Sequence, residues 1–338
     1  MTGDPGAPGA GRGGTYHGFV LLDRLPTTPP ALMRALGIAA VVAQAGIAVT
    51  GSVVRVTGSG LGCPAWPSCF SGSLVPDPRY NVAPLHQWVE FGNRLLGVLV
   101  TVVTIACVLA ALRARPRRRL VRLSVAVLAG VLAQAVLGGI TVLTGLIWWT
   151  VAAHFLVSMI LVWMAVLLSR ATAAPEAPAC PVLPRAGQAL LALCVLVLAG
   201  LLVAGTLVTS AGPHAGDAKT PRLDLPVSSL AQLHADLLIG FLGLLAGLGF
   251  LLRVVGVPPS VHRRYWVLVA VVVAQGVLGA AQYALGVPEV LVSLHVLGAC
   301  LVTAAAAGLW AVTRCAPVAP PQSRRARQQP APAELSTG

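Results

Sequence analysis

Apolar positions gather along this chain into eight blocks, near 32–54, 86–112, 120–143, 149–169, 186–209, 229–252, 265–285 and 289–312, divided by shorter polar, proline-bearing or arginine-rich gaps. Each block is about 20 residues or more, the length a helix needs to cross the hydrocarbon core of a bilayer. The pattern predicts an all-α integral membrane protein with eight transmembrane helices. Composition agrees. With 57% apolar and 10% charged residues and a mean hydropathy of +0.84, too few polar side chains remain to cover a soluble domain. Residues 1–30 are rich in Gly and Pro, and residues 314–338 carry Arg324, Arg325 and Arg327, so both ends read as disordered. The first apolar block is full length and begins only after about thirty residues, so no cleavable signal peptide is expected.

The blocks repeat. VLAQAVLGG at Val131–Gly139 and VVAQGVLGA at Val272–Ala280 stand 141 residues apart, and each is followed, 20 residues after its glutamine (Gln134, Gln275), by a histidine inside an apolar stretch. His154 and His295 are therefore equivalent positions. At an offset of 154, Ala45, Gly46, Val49, Gly51, Val54 and Gly58 match Ala199, Gly200, Val203, Gly205, Val208 and Gly212. Each half then holds four helices, and an even number makes the copies parallel. The expected architecture is two parallel pseudo-symmetric four-helix bundles, residues 31–170 and 186–313, joined by a cytoplasmic linker at 171–185. The change of offset places an extra 13 residues in the first loop.

Arginines set the expected orientation. Arg113, Arg115, Arg117, Arg118, Arg119 and Arg122 crowd the second loop, Arg253, Arg263 and Arg264 the sixth, and Arg314 the end, whereas alternate loops are poor in positive charge. By the positive-inside rule both termini face the cytoplasm of a cell-membrane protein. The net charge of +13 then reflects topology and contact with anionic lipid; no nucleic-acid motif accompanies it.

Ionisable residues within the spans are candidate functional groups. At the 141 offset His234 falls on Asn93, so the second half pairs His234 with His295, while the first half has His154, Asn93 and a further histidine, His86. His86, Glu90, Asn93 and Arg94 lie at i, i+4, i+7 and i+8 and share one helix face. Two imidazoles facing each other across a four-helix bundle suit a six-coordinate haem iron. Zinc fits less well, because its sites usually add a third or fourth nearby ligand and the second half offers only Asp236 near its pair. Cys63 and Cys69, in the loop VTGSGLGCPAWPSC on the expected oxidising side, are read as a disulfide, with a thiol pair for redox relay as the alternative. Cys107, Cys194 and Cys300 read as small apolar residues in spans, and Cys180 and Cys315 as reduced cytoplasmic thiols. Gln134 and Gln275 read as interhelical hydrogen-bonding groups.

The loop VRVTGSGLGCPAWPSC, the segment Glu90-Phe91-Gly92-Asn93-Arg94, the two QxVLG segments and the four-plus-four plan resemble the haem A synthase family, from about Val41 to Trp310. The resemblance implies oxidation of the C8 methyl group of haem O to a formyl group, with haem b as cofactor in the second half. It implies His234 and His295 as ligands of the haem b iron, His154 as a ligand of the substrate-haem iron, Glu90 as the catalytic carboxylate and Cys63 with Cys69 as the loop pair. Glu90 paired with Arg94 at i+4 is its plainer reading, and Arg94 and Arg55 are alternative binders of haem propionates. Implied partners are the haem O substrate, a quinol as electron donor, a haem O synthase and the lipid bilayer.

One position departs from the family pattern ExxHR: Asn93 stands where that pattern has histidine. Either His154 alone ligates the substrate iron or His86, two helical turns earlier, supplies the second imidazole, and His86 is slightly favoured. Two other classes stay open. A dihaem electron-transfer cytochrome would share the histidine pairs, and a small-molecule transporter would share the parallel repeats.

Overall fold

The computed structural model describes residues 27–114, 118–173 and 181–314. Most of the expected disordered ends, the middle of the 171–185 linker, Cys180, Cys315, Arg115 and Arg117 lie outside the described residues. Among the described residues the elements are eight helices: α1 Pro30–Val56, α2 Pro84–Arg113, α3 Arg118–Leu143, α4 Trp148–Ala173, α5 Arg185–Ala211, α6 Val227–Val255, α7 Pro259–Ala284 and α8 Glu289–Thr313. All eight are long and apolar enough to cross a membrane. The protein is a multi-pass, all-helical membrane protein.

Proline marks most of the helix starts. Pro30, Pro84 and Pro259 occupy the first turn of α1, α2 and α7, and Pro184, Pro226 and Pro288 cap α5, α6 and α8. A first-turn proline sacrifices no helical hydrogen bond, because that N–H has no intrahelical partner. Gly256 ends α6 in the left-handed conformation at φ 66°, which costs glycine little. The predicted blocks fall within a few residues of these helices except at the start of α7. There the helix begins at Pro259 and carries His262, Arg263 and Arg264 on its first turns, so the apolar signal begins later than the backbone does.

Helix α1 packs on α2 and α4, and α3 packs on the same two, closing a ring of four. In the second half α5 packs on α6 and α7 on α8, with lighter contacts from α6 to α7 and from α5 to α8. The halves meet where α1 and α4 touch α8 and where α4 touches α5. Phe241, Leu245, Leu248 and Leu252 of α6 are almost wholly buried and anchor one apolar core with Leu268 of α7 and Leu309 of α8. A second core joins Ala40 of α1, Cys107 of α2, Val127 of α3 and Leu168 of α4. Elsewhere Phe250 and Val254 stand exposed at the helix surface, as lipid contact requires.

The starts of α2, α4, α6 and α8 share one end of the bundle with the long loop from Thr57 to Ala83. Loops from the two halves join there: Gly60 N–H donates to the Gly216 carbonyl at 2.9 Å, and Arg55 of α1 donates to the carbonyls of Thr209 (2.8 Å) and His214 (2.6 Å). His86, His154, His234 and His295 all lie within about two turns of this end.

Candidate functional site

In the second half, the rings of His234 on α6 and His295 on α8 approach across the interior with centroids 6.4 Å apart and planes inclined at 57°. Helices α6 and α8 make no backbone contact of their own among the described residues, so the two imidazoles meet across the bundle. Metal–nitrogen bonds of about 2 Å put two imidazole centroids about 6 Å apart across one ion, so this spacing suits a shared metal. Nδ1 of each ring is buried with no hydrogen-bond partner. The Leu201 carbonyl faces the His234 ring without reaching full hydrogen-bond geometry. A metal-bound imidazole ordinarily donates its other ring N–H to such a carbonyl. Among the described residues, no three His, Cys, Asp or Glu side chains converge as a metal cluster would require. A two-imidazole haem iron therefore fits the donor set better than zinc.

Glycine makes the rings' positions possible. A Cβ on Gly205 of α5 would come within 3.1 Å of His234 Cε1, and one on Gly279 of α7 within 3.0 Å of His295 Cε1. The first half repeats the contact once, between Gly138 of α3 and His154 of α4 at 3.2 Å. One turn before Gly138 and Gly279 stand the two repeated glutamines. Gln134 Nε2 donates to the His154 carbonyl at 2.8 Å and to Ser158 Oγ at 2.7 Å, and Gln275 Nε2 donates to the His295 carbonyl at 2.8 Å. The expected interhelical role of both is thus seen, with the histidine-bearing helix as the partner. His154 Nδ1, like those of the second half, is buried without a partner.

The rest of the α2 face turns to the long loop. Cys63 and Cys69 form a disulfide, with Cα atoms 4.3 Å apart and both residues fully buried. Glu90 is 5% exposed and both of its oxygens are engaged. Oε2 accepts the Cys63 N–H at 2.7 Å, and Oε1 accepts Arg94 Nη2 at 2.6 Å. Arg94 also donates to the carbonyls of Cys63 (2.6 Å), Ala65 (2.9 Å) and Ser68 (3.0 Å). The pair clamps the disulfide loop to α2. The clamped loop carries Trp66 onto Gly139 of α3, the neighbour of the glycine that receives His154. Gln87 Oε1 accepts the Asp77 N–H at 2.9 Å, and Phe70 stacks on Tyr80 at 4.0 Å. In the same loop Arg79 holds the Asp77 carboxyl below the usual carboxylate range by direct hydrogen bonds.

His86 and Asn93 each find a partner outside the histidine set. His86 Nδ1 shares a hydrogen bond with Ser59 Oγ at 2.9 Å, and Asn93 Oδ1 accepts Thr50 Oγ1–H at 2.7 Å. Arg55 spends its guanidinium on main-chain carbonyls of the α5 end. Cys107, Cys194 and Cys300 are buried free thiols inside helices. Sequence reasoning missed Gly138, Gly205 and Gly279 as ring seats. The signal for two of them was the glycine four residues after each repeated glutamine.

Fold and site together define a helical membrane protein with histidines seated in its interior at one end of the bundle. Residues 34–219, more than half of the chain, match the family described as COX15-CtaA, cytochrome oxidase assembly protein, and the chain belongs to that family. Relatives include the protein named "Heme A synthase" of Geobacillus kaustophilus (strain HTA426), 31% identical over 134 residues, which are 39% of this chain and 40% of the relative. The "Heme A synthase" of Geobacillus thermodenitrificans is 32% identical over 135 residues, 39% of this chain and 41% of the relative. That of Lysinibacillus sphaericus (strain C3-41) is 37% identical over 60 residues, 18% of each chain. The matched segments thus span about two fifths of the two longer-matching relatives.

Proposed function

We propose that this protein is a haem A synthase of the cell membrane, with both termini cytoplasmic, that oxidises the C8 methyl group of haem O to a formyl group. The observation that carries the reading is the His234–His295 pair, centroids 6.4 Å apart with unpartnered Nδ1 atoms, in a chain of the cytochrome oxidase assembly family. Conversion of methyl to formyl by two successive hydroxylations and loss of water, with dioxygen as oxidant, consumes two dioxygen molecules together with four electrons and four protons from a donor, and releases three waters. A bound haem b would supply one-electron redox chemistry to that process.

The protein's own residues divide the work between the halves. His234 and His295 hold haem b in the second half (186–313), and Gly205 and Gly279 fix the rotamers of those ligands. His154, seated on Gly138, ligates the haem O iron in the first half (31–170), with His86, Asn93 and Arg94 on the adjoining α2 face. Glu90 is the carboxylate of the substrate half. Held by Arg94 and the Cys63 N–H, it keeps the disulfide loop and Trp66 over α3 beside His154, and it is the group available to relay protons to the reaction. A quinol is the proposed electron donor and a haem O synthase the proposed source of substrate.

The test is turnover by purified full-length protein supplied with haem O, with products identified by mass. Haem A or a hydroxylated haem O supports the reading. Unchanged haem O, from protein that retains its second-half haem and is given a reductant and oxygen, overturns it.

A further inference from the structure

Within the histidine sites the two halves differ at one pair of positions. Asn93 corresponds to His234 at the 141 offset, and Gly51 corresponds to Gly205 at the 154 offset. In the second half the His234 ring fills the space beside Gly205, where a Cβ would come within 3.1 Å of Cε1. In the first half a Cβ on Gly51 would meet nothing within 4 Å. Asn93 does not fill this space, because its Oδ1 accepts the hydroxyl of Thr50, the residue before Gly51, at 2.7 Å. The short amide is thereby tied to α1.

His86 does not reach the space either. It lies seven residues before Asn93, about 10 Å along the helix, and its Nδ1 is bonded to Ser59 Oγ at 2.9 Å. Its main-chain carbonyl packs against Gly62, so the loop also fixes the backbone at that point. On the other side of the site, His154 keeps the seat on glycine and the unpartnered Nδ1 that His295 has in the second half.

We infer that the first half gives its haem iron a single protein ligand, His154, and leaves the opposite axial position, on the Asn93–Gly51 side, open to a small exogenous ligand such as water or carbon monoxide. The inference rests on the proposed reading of the first half as the substrate-haem site. Thr50 occupies the Asn93 oxygen, and among the described residues the amide Nδ2 has no partner. It is therefore the donor available to an oxygen-bearing ligand at that position.

The experiment is a carbon monoxide difference spectrum of the full-length protein, purified from cells that make haem O and reduced with dithionite, with haem content per chain measured alongside. Two haems are expected, of which one binds carbon monoxide. Asn93→His lowers that reactivity at least tenfold, His154→Ala removes the reactive haem and leaves the other, and His86→Ala keeps it. Should Asn93→His fail to fold, imidazole titration of the unsubstituted protein is the second measurement, and conversion of one of two haems to the low-spin form is expected. Two haems that are both inert to carbon monoxide and imidazole, with reactivity appearing only in His86→Ala, would make His86 the sixth ligand and overturn the inference alone. A single haem whose content is indifferent to His154→Ala would instead overturn the substrate-site reading on which the inference rests.

Discussion

His234 and His295 hold their rings 6.4 Å apart between two helices whose backbones stay out of contact, one ring seated on Gly205 of α5 and the other on Gly279 of α7. Because the backbones are not in contact, the pair is set by side-chain length and by the seats at Gly205 and Gly279. Interior packing tolerates little added volume, and a Cβ at either glycine already sits closer to a ring carbon than ordinary van der Waals contact allows.

Gly205→Val and Gly279→Val are therefore expected to push a ligand ring off its rotamer and lower haem b content severalfold in the purified protein. Gly243→Val is the control, since a Cβ there meets nothing within 4 Å. Pyridine haemochrome absorbance per chain measures the difference. Equal haem content in all three variants would contradict the seat argument.

Glu90→Ala removes the acceptor of both Arg94 and the Cys63 N–H. Arg94 keeps three carbonyl acceptors, so the expected cost is about 3 kcal/mol, below that of a fully stranded buried charge. The loop should loosen with it, and alkylation of Cys63 and Cys69 after mild reduction should become faster than in the unsubstituted protein. Glu90→Gln, which keeps an acceptor oxygen, should lose less stability while still losing a proton-relay role. Separating thermal stability from turnover in these two variants distinguishes the clamp from the relay.

Cys63→Ser combined with Cys69→Ser opens a short covalent loop. Chain-entropy reasoning for a loop of about seven residues gives a loss of about 2 kcal/mol. Thermal unfolding in detergent should shift downward, while haem b content stays unchanged because the second-half ligands lie on α6 and α8.

Gln275→Leu deletes the hydrogen bond from α7 to the His295 carbonyl and, with it, a buried oxygen that has no partner. The two effects oppose each other, and hydrogen bonds between membrane helices are worth about 0.6 kcal/mol on average. A change in stability under about 1 kcal/mol is expected, against the larger Glu90→Ala effect.

The helices were legible in the sequence because an apolar block of membrane-spanning length needs no knowledge of its neighbours, and α7 was shortened only where its first turn carries His262, Arg263 and Arg264. The equivalence of His154 and His295 was legible because the glutamine-to-histidine spacing is repeated. The i, i+4 spacing showed that Glu90 and Arg94 could pair. It could not show their common target, since the carbonyls of Cys63, Ala65 and Ser68 belong to a loop whose path depends on tertiary packing. The same holds for Arg55, which reaches carbonyls at the end of α5 about 154 positions away. His86 shares a helix face with Glu90 and Asn93, yet Ser59, which precedes it by 27 residues, determines its hydrogen bond.

The measurement that bears most directly on the central claim is extraction and mass analysis of the haems held by the purified protein, produced with and without a source of haem O. Haem B is expected in both preparations, accompanied by haem A or a hydroxylated haem O only when haem O is supplied, with haem B lost in His234→Ala and His295→Ala. Haem B alone, unchanged when haem O is supplied, would contradict that claim and leave an electron-transfer cytochrome.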